Sequence, residues 1–294
     1  MTVKYSAAAT SLLPQYAASA AFMERFLVAA HTEGTPIARS PNGKGIKLVD
    51  GSELDADVLS YFTNNKDDFR SEFCEELKGR IGDEQLGIFC EVVARDWFDG
   101  MRLRREGRSR QLKRSVFDYL SMVASGTMTP SQFVKNQDPP MDVEPLITVE
   151  AVAAVLTVND QMIYRHIEGW KRSHPNRDNL TSDDVFLRRG LALDRPLDSS
   201  NPYREWDFLN SYSIAFSAPE KFSQMMSGRT PAIVNGELSL FEGRVLFFSP
   251  FIPGMDVGQL EFGIIPRERP HPLLFQGIHA GIHEYILDPA PFQR

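Results

Sequence analysis

The sequence predicts an α+β fold: a mainly helical first part, a proline-containing connection, and a second part in which one helix precedes sheet structure. Three observations carry this. Up to Gly126, apolar residues recur three and four apart, the period of a helix face turned to a core. Between Gly126 and Leu146 the chain shifts to Thr, Pro, Gln, Asn and Asp, with Pro130, Pro139, Pro140 and Pro145 restricting the backbone. After Arg172, short Phe-, Ser- and Val-rich runs dominate. At 294 residues the chain is long enough for two ordinary domains. The expected units are a helical module at 1–126, a linker at 127–147 and an α+β domain at 148–294.

The elements follow in order. Phe22, Phe26 and Ala29 mark a first helix, Pro41 to Gly45 a turn, Ile46 to Val49 a short strand, and Asp50-Gly51 another turn. Ser52 is placed to cap a helix through Tyr61. Phe69, Phe73, Leu77 and Ile81 form a helical stripe, continued by Leu86, Phe89, Val93, Trp97 and Met101. Val149 to about Arg172 reads as a helix with a break near Asn159, and strands follow.

Charge and composition narrow the function. With 42% apolar and 24% charged residues the chain has the make-up of a globular protein with a real core. A net charge of -7 argues against a broadly basic surface for nucleic acid. The exception is the cluster Arg102, Arg104, Arg105, Arg108, Arg110, Lys113 and Arg114, which reads first as a solvated helix end without aromatic interleaving. Cys74 and Cys90, sixteen residues apart, fit neither a disulfide framework nor a zinc-ribbon spacing and read as reduced, buried thiols. No apolar run is long enough for a membrane span. Pro14 and Gln15 interrupt the segment before Ala18-Ser19-Ala20, which therefore reads as a flexible or helical start rather than a cleaved signal.

Four groups of residues in the second part form a pattern through their order. The first is Leu156-Thr157 followed by Tyr164, Ile167, Trp170 and Arg172, with Tyr164, Ile167 and Trp170 on about one helix face. The second is the strand Val185 to Leu191, ending in Arg188-Arg189-Gly190. The third is Asn210-Ser211-Tyr212-Ser213, in which alternation sends both serines to one face, with Ser217 ranked below that pair. The fourth is the loop from Ser249 through Phe251 and Gly254 into Gln259-Leu260-Glu261, whose two polar residues share a face if they lie on a strand.

Taken together, these groups resemble the mono-ADP-ribosyltransferase superfamily of the Arg, Ser-x-Ser and Gln-x-Glu type, across Val149 to Arg294. Glu168 stands where the family's helix has Asn, and Tyr212 where its serine motif has Thr. The resemblance implies a split β-sandwich with flanking helices and NAD+ as co-substrate, with no metal. It assigns Arg189, with its permanent charge and fork geometry, to the pyrophosphate and Gly190 to close backbone approach. Ser211 and Ser213 would hold the cofactor, Ser211 also supporting Glu261. Glu261 would stabilise the positive charge that develops on the ribose as nicotinamide leaves, and Gln259 would orient the nucleophile. Phe251 and Gln259 would recognise the acceptor.

Further expectations come from the same resemblance. Gln rather than Glu at position 259 disfavours arginine as acceptor. A protein side chain is the first choice, an RNA or DNA base the runner-up because of the basic cluster, and NAD+ hydrolysis the third. Family members with an extra N-terminal module include bacterial toxins, effectors and defence proteins. That implies cytoplasmic action, by secretion or injection, and an inhibitor or chaperone as partner for residues 1–126. Two readings compete: a metal site at His271, His279 and His283, disfavoured by Gly277, Gly281 and the strand-like sequence around them, and a catalytically silent binding module.

Overall fold

A computed structural model describes residues 38–39, 46–47, 51–97, 107–123, 141–173, 185–198, 200–201, 203–205, 208–267, 270–279 and 281–287. The expected helix at Phe22 to Ala29, the turn at Pro41 to Gly45, Met101 and the arginines at 102, 104 and 105 lie outside the described residues. Among those described, mixed helix and sheet is plain: five α-helices and a seven-stranded sheet, with a separate two-stranded ribbon. The ribbon pairs β1 (Ala38–Arg39) with β2 (Ile46–Lys47).

The helices are α1 (Gly51–Asn64), α2 (Lys66–Val92), α3 (Arg108–Val123), α4 (Val149–Arg172) and α5 (Ser217–Gln224). In α2 the predicted stripe Phe69, Phe73, Leu77, Ile81, Leu86 and Phe89 is buried throughout. Gly82, at φ 79 and ψ 161, bends the helix in its middle, in a conformation that a side chain would strain. A π-helical turn, Val93–Trp97, continues it. Leu112, Val116 and Leu120 repeat every four residues along the buried face of α3.

Helix α4 runs without a break. Its start is capped by Thr148, whose Oγ1 accepts from the Ala151 amide at 3.2 Å, while Gln85 of α2 accepts from the Thr148 amide at 3.1 Å. Asn159, expected to interrupt the helix, is fully buried, and its side-chain amide nitrogen is paired. Its Nδ2 donates to Val155 O at 3.1 Å and, across to the sheet, to Leu246 O at 2.9 Å. Of the aromatic face expected on this helix, Ile167 and Trp170 are buried, but Tyr164 is 65% exposed.

The sheet is built from β3 (Phe186–Leu193), β4 (Asn210–Ser213), β5 (Thr230–Glu237), β6 (Val245–Phe248), β7 (Glu261–Ile264), β8 (Leu273–His279) and β9 (Ile282–Leu287). Their order is β6-β7-β4-β3-β5-β9-β8, antiparallel throughout except for β5 with β9. The two central joins differ. β3 pairs with β5 along eight residues, but with β4 only at Arg188↔Ser213. The sheet therefore splays between β3 and β4.

One apolar cluster runs through the described chain. Phe62 of α1 meets Phe248 of β6 edge-on at 5.0 Å, and Phe248 stacks on Phe262 of β7 at 4.0 Å. Helices from before the proline-containing stretch and strands from after it thus share a core. The linker expected at 127–147 does not mark a break in packing among the described residues. No helix among them is long and apolar enough to cross a membrane.

Three arginines of the basic cluster have acidic partners within the chain. Arg108 pairs with Glu91 at 2.9 Å, Arg110 with Asp142 at 2.6 Å and Arg114 with Asp118 at 2.8 Å. Cys74 is half-buried and Cys90 buried, both as free thiols.

Candidate functional site

A cavity of about 140 Å³ opens where β3 and β4 part. Its walls are residues 188–191 of β3, 211–213 of β4, Ala218, Pro219 and Phe222 of α5, and Gln259 and Glu261. The second, third and fourth sequence groups therefore converge on one site, although about seventy residues separate the first of these positions from the last. Sites that enclose a whole drug-sized ligand span roughly 300–1,000 Å³. This cavity is the size for one end of such a ligand.

Strand register sets which side chains face one another. Arg188 pairs with Ser213, and Ser213 pairs with Glu261. Paired residues project to one face, so Arg188, Ser213 and Glu261 form a row across three strands. Arg188 is 6% exposed, its Nη1 donating to Phe186 O at 3.2 Å and Ile214 O at 3.3 Å. Its guanidinium lies 3.6 Å from the centre of the Phe216 ring, a cation-π contact.

Arg189, expected to be the functional cation, belongs to the other face. Its Nη1 donates to Asn210 Oδ1, and its guanidinium lies 5.8 Å from the Tyr212 ring; Asn210 and Tyr212 are the two β4 residues that alternate with the serines. The sequence reading gave the cationic role to Arg189, but register puts Arg188 in the row with Ser213 and Glu261. Arg189 contributes to the cavity wall while its charge is directed to Asn210.

Ser211 Oγ donates to Glu261 Oε1. Ser213 does something different: its Oγ donates to Gln259 O at 2.6 Å and accepts from the Ala215 amide at 2.9 Å, tying the loop end to β4. Ser249 Oγ accepts from the Glu261 amide at 3.0 Å. Glu261, 6% exposed, is thus fixed through both its side chain and its backbone.

Gln259 lies in a turn, not on the strand, which begins at Glu261. Leu260 between them has φ 44, the one described non-glycine residue at positive φ. That torsion, not strand alternation, brings both side chains to the cavity. Gly190 lines the cavity and also has a packing role: a Cβ there would sit 1.9 Å from Pro219 O, so glycine lets the first turn of α5 close on β3.

Phe251, expected to recognise an acceptor, is fully buried in the short 3-10 turn Ser249–Phe251. It contacts Phe248 at 5.0 Å, Phe69 at 5.9 Å and Phe73 at 6.4 Å. It is a core residue, because α2 covers the start of the loop.

Beneath β4 lies a polar group that the sequence did not single out. Tyr212 donates to Glu205 Oε1 at 3.0 Å, and Arg244 Nη1 meets Glu205 Oε2 at 2.6 Å. Arg244 also donates to Ile265 O at 3.1 Å and Leu240 O at 3.1 Å. Burial, with Glu205 as a second cause, pushes the Tyr212 hydroxyl well above its ordinary value, so it stays a donor. His271 nearby is held down to about 4, first by burial and then by Arg244. No spacing rule joins Glu205 to Arg244. Of the three histidines weighed as a metal site, His271 lies in this layer against Arg267, while His279 and His283 belong to the β8–β9 hairpin. Among the described residues no group of three or more His, Cys, Asp or Glu is placed to hold a metal ion.

Compared with protein-family models, curated proteins and solved structures, the chain matches none.

Proposed function

We propose that the chain is an NAD+-dependent mono-ADP-ribosyltransferase, with residues 148–294 carrying an ADP-ribosyltransferase-like split β-sandwich. The observation that carries this reading is the row Arg188, Ser213, Glu261 at the mouth of a cleft, with Ser211 bonded to the glutamate. The single residue pair joining β3 to β4 supports the split arrangement.

The donor set suits NAD+. A guanidinium presents a fork to an anionic pyrophosphate, and here Arg188 takes the role that the sequence gave to Arg189. Cleavage between nicotinamide and ribose leaves positive charge on the sugar, and a preorganised carboxylate stabilises it. Glu261 supplies that carboxylate, oriented by Ser211 and by the Ser249 bond to its amide. Gln259, an amide, orients the acceptor nucleophile without acting as a base.

A protein side chain remains the favoured acceptor over a nucleobase. Arg108, Arg110 and Arg114 are engaged by carboxylates of the same chain, which reduces the net charge they offer to phosphates. Action inside a target cell as a toxin, effector or defence protein fits this chemistry.

The test is nicotinamide release from NAD+, together with mass spectrometry of cell extract incubated with protein and NAD+. Wild type is expected to release nicotinamide and to add ADP-ribose, and Glu261→Gln to do neither at a comparable rate. Equal behaviour of the two proteins refutes the mechanism. A wild type that shows neither activity, and no thermal shift with NAD+, supports a silent binding module instead.

A further inference from the structure

The loop at 252–260 carries Gln259 next to its end and leads into Glu261, yet it contains no helix or strand. Its shape depends on individual contacts. Asp256 Oδ1 accepts from the Gly258 amide at 3.0 Å, and the Leu260 amide donates to Val257 O at 2.9 Å, both within the loop. From outside, Arg70 of α2 reaches across: its Nη2 donates to Met255 O at 2.6 Å, over a sequence separation of 185. Phe69 and Phe73, on the same helix, pack on Phe251 just before the loop begins.

We propose that Arg70 is a positioning residue, which sets the loop carrying Gln259 and so makes α2 part of the catalytic unit. This rests on the NAD+ reading of Glu261 and Gln259 given above. Three points support it. Arg70 is mostly buried, its side chain 19% exposed, so its direction is set by packing. Its nearest acidic neighbour, Asp67, is 3.9 Å away and 86% exposed, whereas the bond to Met255 O is short and charge-assisted. Finally, the cation and serines that would hold NAD+ lie on β3 and β4, outside the loop. Removing Arg70 should therefore disturb the chemistry more than the affinity for NAD+.

The experiment compares wild type, Arg70→Met and Arg70→Lys by two readouts. Amide hydrogen exchange at 252–260 is expected to rise in Arg70→Met, while the β3–β5 ladder keeps its protection, and to return toward wild type in Arg70→Lys. With NAD+ as the probe, kcat for nicotinamide release is expected to fall about tenfold in Arg70→Met, as loss of one charge-assisted bond implies, with KM little changed and partial rescue by lysine. Unchanged exchange in the loop overturns the inference. So does a loosened loop with wild-type kcat, or a fall in both activity and melting temperature that lysine does not rescue. If wild type releases no nicotinamide, the NAD+ reading fails by itself, and loop exchange still decides whether Arg70 sets the loop.

Discussion

The two halves of the sheet meet at β3 but are held together differently. On one side, β5, β9 and β8 are strands of eight, six and seven residues, and Phe275 and Ile278 of β8 remain exposed. On the other, β4, β7 and β6 have four residues each, and every residue of β6 and β7 is buried. Four-residue strands offer few ladder bonds, so burial must hold them: Phe62 of α1 packs on Phe248 of β6, and Asn159 of α4 bonds to Leu246 O. The candidate site lies at the seam, with its carboxylate on the half that depends on the helices.

The strongest test of that difference is Phe251→Ala. It removes a ring at the junction of α2, β6 and the loop, and is expected to destabilise the protein by about 3–5 kcal/mol, measured by urea unfolding. If Phe251 instead served acceptor recognition, stability would hardly change. Next in size, Glu261→Gln should raise the barrier to nicotinamide release by roughly 3–4 kcal/mol with an unchanged melting curve.

A smaller effect separates the two arginines. Arg188→Ala should lower kcat/KM for NAD+ by about 1.5–3 kcal/mol, and Arg189→Ala by less. The opposite ranking would restore the assignment made from sequence and refute the register argument.

The smallest effect concerns pH. His271 is held neutral in the folded protein down to about 4, against an ordinary value of 6.5, so the unfolded chain binds its proton first. Its contribution to stability is complete above pH 6.5 and is lost as pH falls from there through the folded value. Between pH 6.5 and 5, His271→Gln should show a shallower loss of stability than wild type by urea unfolding. Equal slopes would show that His271 does not titrate in this way.

Much of this arrangement was readable from residues alone. The stripe from Phe69 to Phe89 follows from helix period, and the shared face of Ser211 and Ser213 from strand period. The strand character of β8 and β9, though not their pairing, was legible in the glycine-flanked sequence that argued against a helical metal site. Arg188 was missed because alternation orders residues within one strand and does not say which parity meets Ser213; the pairing of β3 with β4 decides that. Phe251 was misread because a loop aromatic looks the same in sequence whether a helix covers it or solvent does.

The sequence by itself determined the α+β composition and the buried stripe of α2, because these depend on periods of two and 3.6 residues along one segment, while the residue types that meet at the cleft were read from a resemblance in motif order. Tertiary structure alone decided that Arg188 rather than Arg189 joins Ser213 and Glu261, that Leu260 turns Gln259 toward the cavity, and that α2 braces the loop. Those outcomes depend on register and on contacts between distant segments, which no local period encodes.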